Sequence, residues 1–90
     1  MLNQNEEYNA LVISATTTVK TGSGQTGGVF VSAASGSPTI TVYDNTSASG
    51  TTLVSVFTPV ASTAYAFPCH FSTGLTVAVS GTVSCTVFYA

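Results

Sequence analysis

Charge is what this sequence has least of. Glu6, Glu7, Lys20 and Asp44 are its formally charged side chains, 4% of 90 residues, where an ordinary soluble domain carries roughly a quarter. Arginine and tryptophan are absent, and His70 is the one histidine. Nucleic-acid phosphates and anionic membrane surfaces are held by Lys and Arg. A single lysine therefore argues against both as partners. No stretch approaches the roughly 20 apolar residues that cross a bilayer as a helix. The start, Met1–Tyr8, has no basic side chain, and the apolar run from Ala10 to Ala15 is short and broken by Ser14. No secretory leader is expected from that pattern, and synthesis in the cytoplasm is.

Titratable and metal-ligating groups are as scarce as charges. His70 has Cys69 as its neighbour, and in an extended strand adjacent side chains point to opposite faces. A zinc site needs three or four ligands, and Cys69, His70 and Cys85 would have to bring loop and strand together to supply them. A Cys–His nucleophile pair lacks any motif that would place an orienting Asp or an oxyanion hole. Glu6 and Glu7 are adjacent in a polar segment, whereas paired acid/base carboxylates are held apart across a cleft. The stretch Gly22-Ser-Gly-Gln-Thr-Gly-Gly28 lacks the Lys and the following helix of a phosphate-binding loop. Catalytic, cofactor-binding and metal residues are therefore not assigned. No cofactor and no small-molecule substrate are expected, and the chain reads as a non-enzyme. Cys69 and Cys85, sixteen positions apart, leave one disulfide or two buried thiols open.

What the chain does have is hydroxyls and a period of two. Ser and Thr make up 28 of the 90 residues (12 Ser, 16 Thr), and the apolar fraction is 44%. A hydroxyl costs far less to desolvate than a carboxylate or ammonium, and so few like charges do little to keep copies apart. Such a surface suits a subunit of an assembly. Residues Met1–Asn9 are polar and aperiodic and read as a flexible arm, a candidate clasp onto a neighbour, ahead of one domain spanning residues 10–90. There, short β-prone runs alternate with Gly, Pro and Ser. Ile40 and Val42 face one way against Thr39, Thr41 and Tyr43, and Leu75, Val77 and Val79 alternate with Thr76, Ala78 and Ser80. Val83, Cys85, Val87 and Tyr89 line one face of a last strand. Gly22–Gly28 reads as a loop, Gly36-Ser37-Pro38 as a strand end, Pro68-Cys69-His70 as an interruption after the strand Thr63–Phe67, and Ser80-Gly81-Thr82 as the turn of a hairpin.

Seven or eight strands at roughly ten-residue spacing predict an all-β fold, a small antiparallel β-sandwich of jelly-roll type. Phe30, Tyr43 and Phe88 fall opposite the apolar faces of their strands. In Thr52–Thr58, Leu53 and Phe57 oppose Val54 and Val56, so the strand is either covered on both sides or has one face in a subunit contact. Phe30, Tyr43, Val54, Val56 and Phe88 are the candidate protein-interface residues.

Three segments carry a resemblance. Gly28-Val-Phe-Val-Ser-Ala-Ala-Ser-Gly36, then Ile40-Thr-Val-Tyr-Asp-Asn-Thr-Ser-Ala-Ser-Gly-Thr-Thr-Leu-Val54, then Phe71-Ser-Thr-Gly-Leu-Thr-Val-Ala-Val-Ser-Gly-Thr82, with Val87-Phe-Tyr89 at the end, resemble a group of small proteins encoded by tailed bacteriophages, many of them marine. The resemblance runs from about Thr16 to the end. It implies a virion structural protein, made in the host cytoplasm without a leader and working in the virion. The expected role is a capsid decoration or cement protein that binds the major capsid protein and itself as a homo-oligomer, a trimer being one arrangement. A tail or head-fibre module that binds a host receptor or glycan is the alternative. Asp44–Gly50 and Thr73–Thr82 match the shared pattern and read as turns that determine the fold.

Overall fold

In the computed structural model, which describes residues 8–90, the alternating segments pair into six strands: β1 (Asn9–Ile13), β2 (Thr17–Thr21), β3 (Gly24–Tyr43), β4 (Thr52–Phe57), β5 (Thr63–Phe71) and β6 (Gly74–Tyr89). The expected arm lies largely outside the described residues, although Asn9 already pairs with Tyr89 in β1. All six strands belong to one antiparallel sheet with the path β1-β6-β3-β4, with β2 also pairing β6 and β5 also pairing β3. The centre is the β3–β6 ladder, which runs from Thr26 opposite Tyr89 to Tyr43 opposite Thr76. One half of the sheet reads β1-β6-β3-β5 and the other β2-β6-β3-β4.

This corrects the expected seven- or eight-stranded jelly-roll sandwich. The sheet is single, and it neither closes nor curls into a barrel. The error has one physical source. Gly36-Ser37-Pro38 and Ser80-Gly81-Thr82 look like chain reversals, but they lie opposite each other in two strands that continue. The register passes from Ser35 opposite Thr82 to Thr39 opposite Ser80, so residues 36–38 of β3 face Gly81 alone. Gly36 (φ 73°), Ser37 (φ 57°) and Gly81 (φ 88°) take left-handed conformations there, as a bulge and a local bend require. A positive φ reverses a chain in a tight turn, but here it bends both strands together. Four expected strands thereby become two, and the Ser80–Thr82 hairpin does not exist.

The bend is also demanded by length. Twenty residues of β3 would reach roughly 66 Å at about 3.3 Å each, yet the longest dimension is 43 Å. One apolar cluster spans the bend, with Val31 and Cys85 from one half and Ile40, Val42, Leu75 and Val77 from the other, all fully buried. Among the described residues no helix or second sheet is present to cover them, so the halves of the bent sheet cover each other.

Two further expectations change for similar reasons. Gly24–Gly28, read as loop, begins β3. Gly28 (φ 136°) lets that strand approach β5 so closely that a Cβ there would overlap the carbonyl oxygen of Tyr65. Pro68, read as a break, sits inside β5. Between Thr26 opposite Cys69 and Gly28 opposite Ala66, β5 holds two residues against one, and a proline is tolerated at a bulge on an edge strand.

A Cβ at residue 81 would stand 3.0 Å from the Pro38 Cα, on a backbone with φ 88°. Gly81→Ala is therefore expected to destabilise the fold by about 1–3 kcal/mol. Gly36→Ala, where nothing lies within 4 Å of the new Cβ, is expected to cost less, about 1 kcal/mol from backbone conformation alone. Urea denaturation of the two variants beside the parent measures the difference.

Candidate interaction surface

The two outer faces of the sheet differ because one is covered by the chain's own loop. Asp44 follows the last residue of β3, and its carboxylate gathers the turn between β5 and β6. Oδ1 accepts hydrogen bonds from the backbone N–H of Thr73 (2.8 Å), Ser72 (3.1 Å) and Gly74 (3.4 Å). Oδ2 accepts from the Ser72 N–H at 3.1 Å and its hydroxyl at 3.5 Å. The Thr73 and Ser72 amides are the main reason the Asp44 carboxyl titrates below its ordinary value of 3.8. Beyond it, the Asn45 side chain holds the loop by donating to the Ser49 carbonyl and accepting from the Thr46 N–H, both at 2.8 Å. The loop backbone then lies on the sheet. The Asn45 carbonyl accepts from the Thr76 hydroxyl (2.8 Å) and the Thr46 carbonyl from the Thr18 hydroxyl (3.1 Å). Thr76 is buried and satisfied by these contacts. The segments read from sequence as two separate turns are one interlocked unit.

No such cover lies over the other half among the described residues. Register places Val12, Thr86, Phe30 and Ala64 in one row across β1-β6-β3-β5, and Ala10, Phe88, Gly28 and Ala66 in the next. Phe30 and Phe88 are thus diagonal neighbours on one face. Val12 is 68% exposed and Phe30 39%. The Tyr8 ring extends this surface over β3: a Cβ on Gly27 would stand 3.2 Å from it. None of these residues is charged.

The five candidate interface residues therefore separate. Phe30 and Phe88 share the bare face. Tyr43, half-buried, lies between Thr76 and Thr52 on the outer side of the other half. Val54 pairs with the fully buried Val42 and packs against the core. Val56 is turned to solvent, 62% exposed. The expected division of this strand, Leu53 and Phe57 on one face against Val54 and Val56 on the other, fails because β4 carries an extra residue between Val54, opposite Val42, and Phe57, opposite Ile40. Val54 and Phe57 then both face inward. The sequence reading missed Ala10, Val12, Ala64 and Ala66. The inward alternation of Leu11 and Ile13 was the available signal for Val12, but alanines announce no face.

The two cysteines lie apart. Cys69 stands opposite Thr26 on β5, His70 opposite Gln25, and Cys85 opposite Val31 on β6. β5 and β6 flank β3, so the cysteines are at least about 10 Å apart across two strand spacings, too far for a disulfide. Both are free thiols. Burial pushes both thiols up, and for Cys69 the negative charge of Asp44 adds to this. That is opposite to the shift of an activated nucleophile. No group of three His, Cys, Asp or Glu able to hold a metal occurs among the described residues.

No family model, curated protein or solved structure matches this chain.

Two outcomes are expected. The hydrogen bonds that lower the Asp44 pKa form only in the folded chain, so their contribution is complete above the ordinary carboxyl pKa and is lost as pH falls through the lowered value. Asp44→Asn should lower the urea midpoint at neutral pH and flatten the loss of stability between about pH 5 and about pH 2. In the native protein, Cys85 should resist a thiol reagent and Cys69 should react slowly, while both titrate in denaturant without added reductant.

Proposed function

We propose that this chain is a virion structural protein of a tailed bacteriophage, a capsid decoration or cement protein that binds the capsid surface and its own copies. The observation that carries the reading is the face built on Val12, Phe30 and Phe88, which is bare and uncharged among the described residues. Covering it desolvates no ionic group, so the unfavourable term that opposes burial of ordinary protein surface is small. Apolar area removed from water there is worth about 25 cal/mol per Å² before the costs of ordering. A surface with four charged residues in the whole chain has little to repel identical neighbours, which suits repeated packing on a lattice.

The resemblance of the Gly28–Gly36, Ile40–Val54 and Phe71–Thr82 segments to phage proteins supports the virion setting, with synthesis in the host cytoplasm. The scarcity of titratable groups supports a role in packing over one in catalysis. The face is a sheet surface of small and aromatic side chains, which favours a protein neighbour over a glycan held in a concave site.

Quantitative mass spectrometry of purified particles tests the reading. Copies in the hundreds per particle are expected. A dozen or fewer would move the protein to the tail or a head fibre, and absence from particles would overturn the virion role.

A further inference from the structure

The sheet leaves a second feature unused, the free edge of β5. This strand pairs with β3 on one side, and among the described residues no strand pairs with the other. From Val31 opposite Thr63 to Gly28 opposite Ala66 the register has no break, so the free edge is a regular extended backbone. It borders an open groove of about 520 Å³, walled by Val54, Ser55 and Phe57 of β4 and by Ala64–Phe67 of β5. Ala64 and Ala66 face outward while Tyr65 and Phe67 pack toward the core. Both pairs reach the groove, so what borders it is the strand's backbone edge. On the inner side Tyr65 already stacks on Phe57, with ring centres 5.0 Å apart.

An edge strand offers unpaired N–H and C=O groups to any extended chain, and proteins guard such edges with charge, proline or bulges. Here Pro68 guards the far part of β5, and no Lys, Arg, Asp or Glu occurs from Asn45 to Ala90. The run Thr63-Ala-Tyr-Ala-Phe67 is also close to symmetric about its centre. We propose that β5 is a self-association edge, where two copies join by antiparallel pairing of Thr63–Phe67 about Tyr65. Ala64 of each copy lies opposite Ala66 of the other, so the outward side of the joint stays small and flat. Tyr65 meets Tyr65 over the two grooves. A second copy is the occupant the charges favour, because its edge is as neutral as the groove, whereas a charged strand would bury its charge against Val54, Phe57 and Tyr65 without a counter-ion. The pairing is two-fold and closes on itself, as an isologous contact does.

The proposal rests on the reading of the chain as an assembling subunit, and its test is separate from that reading because it uses the purified chain alone. Sedimentation velocity over a concentration series is expected to show a dimer. Ala64→Lys places a charge at the edge and should weaken the dimer about tenfold or more. Ser14→Lys, exposed between β1 and β2 and outside both the edge and the bare face, should leave it unchanged. Amide exchange on the unaltered chain should show alternate N–H groups within residues 63–67 becoming protected as concentration rises. A monomer at every concentration, with no such protection, overturns the proposal. So does loss of the dimer in Val12→Lys, which would put the contact on the bare face. A monomer that is nonetheless abundant on particles sinks the edge pairing and leaves the virion reading standing. A dimer absent from particles does the reverse.

Discussion

The ladder between β3 and β6 is the constraint on which the rest of the molecule hangs. β1, β2, β4 and β5 each pair with one of these two strands and form no ladder of their own with one another. Such short strands would not be stable alone; they are held because a long, continuous pair crosses the molecule and offers two outer edges. The pair can be that long in a chain of this size because it bends, with its widest register break where Gly36, Ser37 and Pro38 meet Gly81. The same bend brings Val31 and Cys85 into one cluster with Ile40, Val42 and Val77.

Asp44 fixes what the bend leaves loose. It stands at the end of β3 and holds the turn that opens β6, so it ties the two strands together at one end of their ladder. A carboxylate is well suited to this, because its two oxygens can take three successive backbone amides at once. The loop that follows roofs the outer face of its own half of the sheet. Among the described residues the other half has no equivalent loop, and this asymmetry leaves one surface covered and one bare. The assembly role proposed above depends on that difference more than on composition, since a hydroxyl-rich surface hidden by its own loop would have nothing to offer a neighbour.

Much of the core could be read from alternation. Ile40, Val42, Leu75, Val77, Val83, Cys85 and Val87 were placed on inward faces and are buried. The all-β class was legible for the same reason, since a period of two survives whatever the strands pair with. The architecture was not. Glycine, serine and proline at residues 36–38 and 80–82 have the same appearance whether they reverse a chain or bend two paired strands, and only the partner across the ladder separates the cases. Bulges hid two more features in the same way. An extra residue in β4 turned Val54 inward and Val56 outward, and another in β5 allowed Pro68 to remain inside a strand.

The candidate surface was half legible. Phe30 and Phe88 could be placed opposite the core by counting, but that they are diagonal neighbours follows from register, which no single strand contains. What the amino-acid sequence determined alone was therefore local: strand-forming runs, inward faces, a nearly uncharged exterior and the shortage of reactive groups, all properties of a residue and its near neighbours. Which strand lies beside which, where the long pair bends, that Asp44 reaches the turn 28–30 residues away, and which face stays bare were decided by the tertiary structure. Those features come from pairing between distant segments, where a shift of one residue turns every side chain to the opposite face.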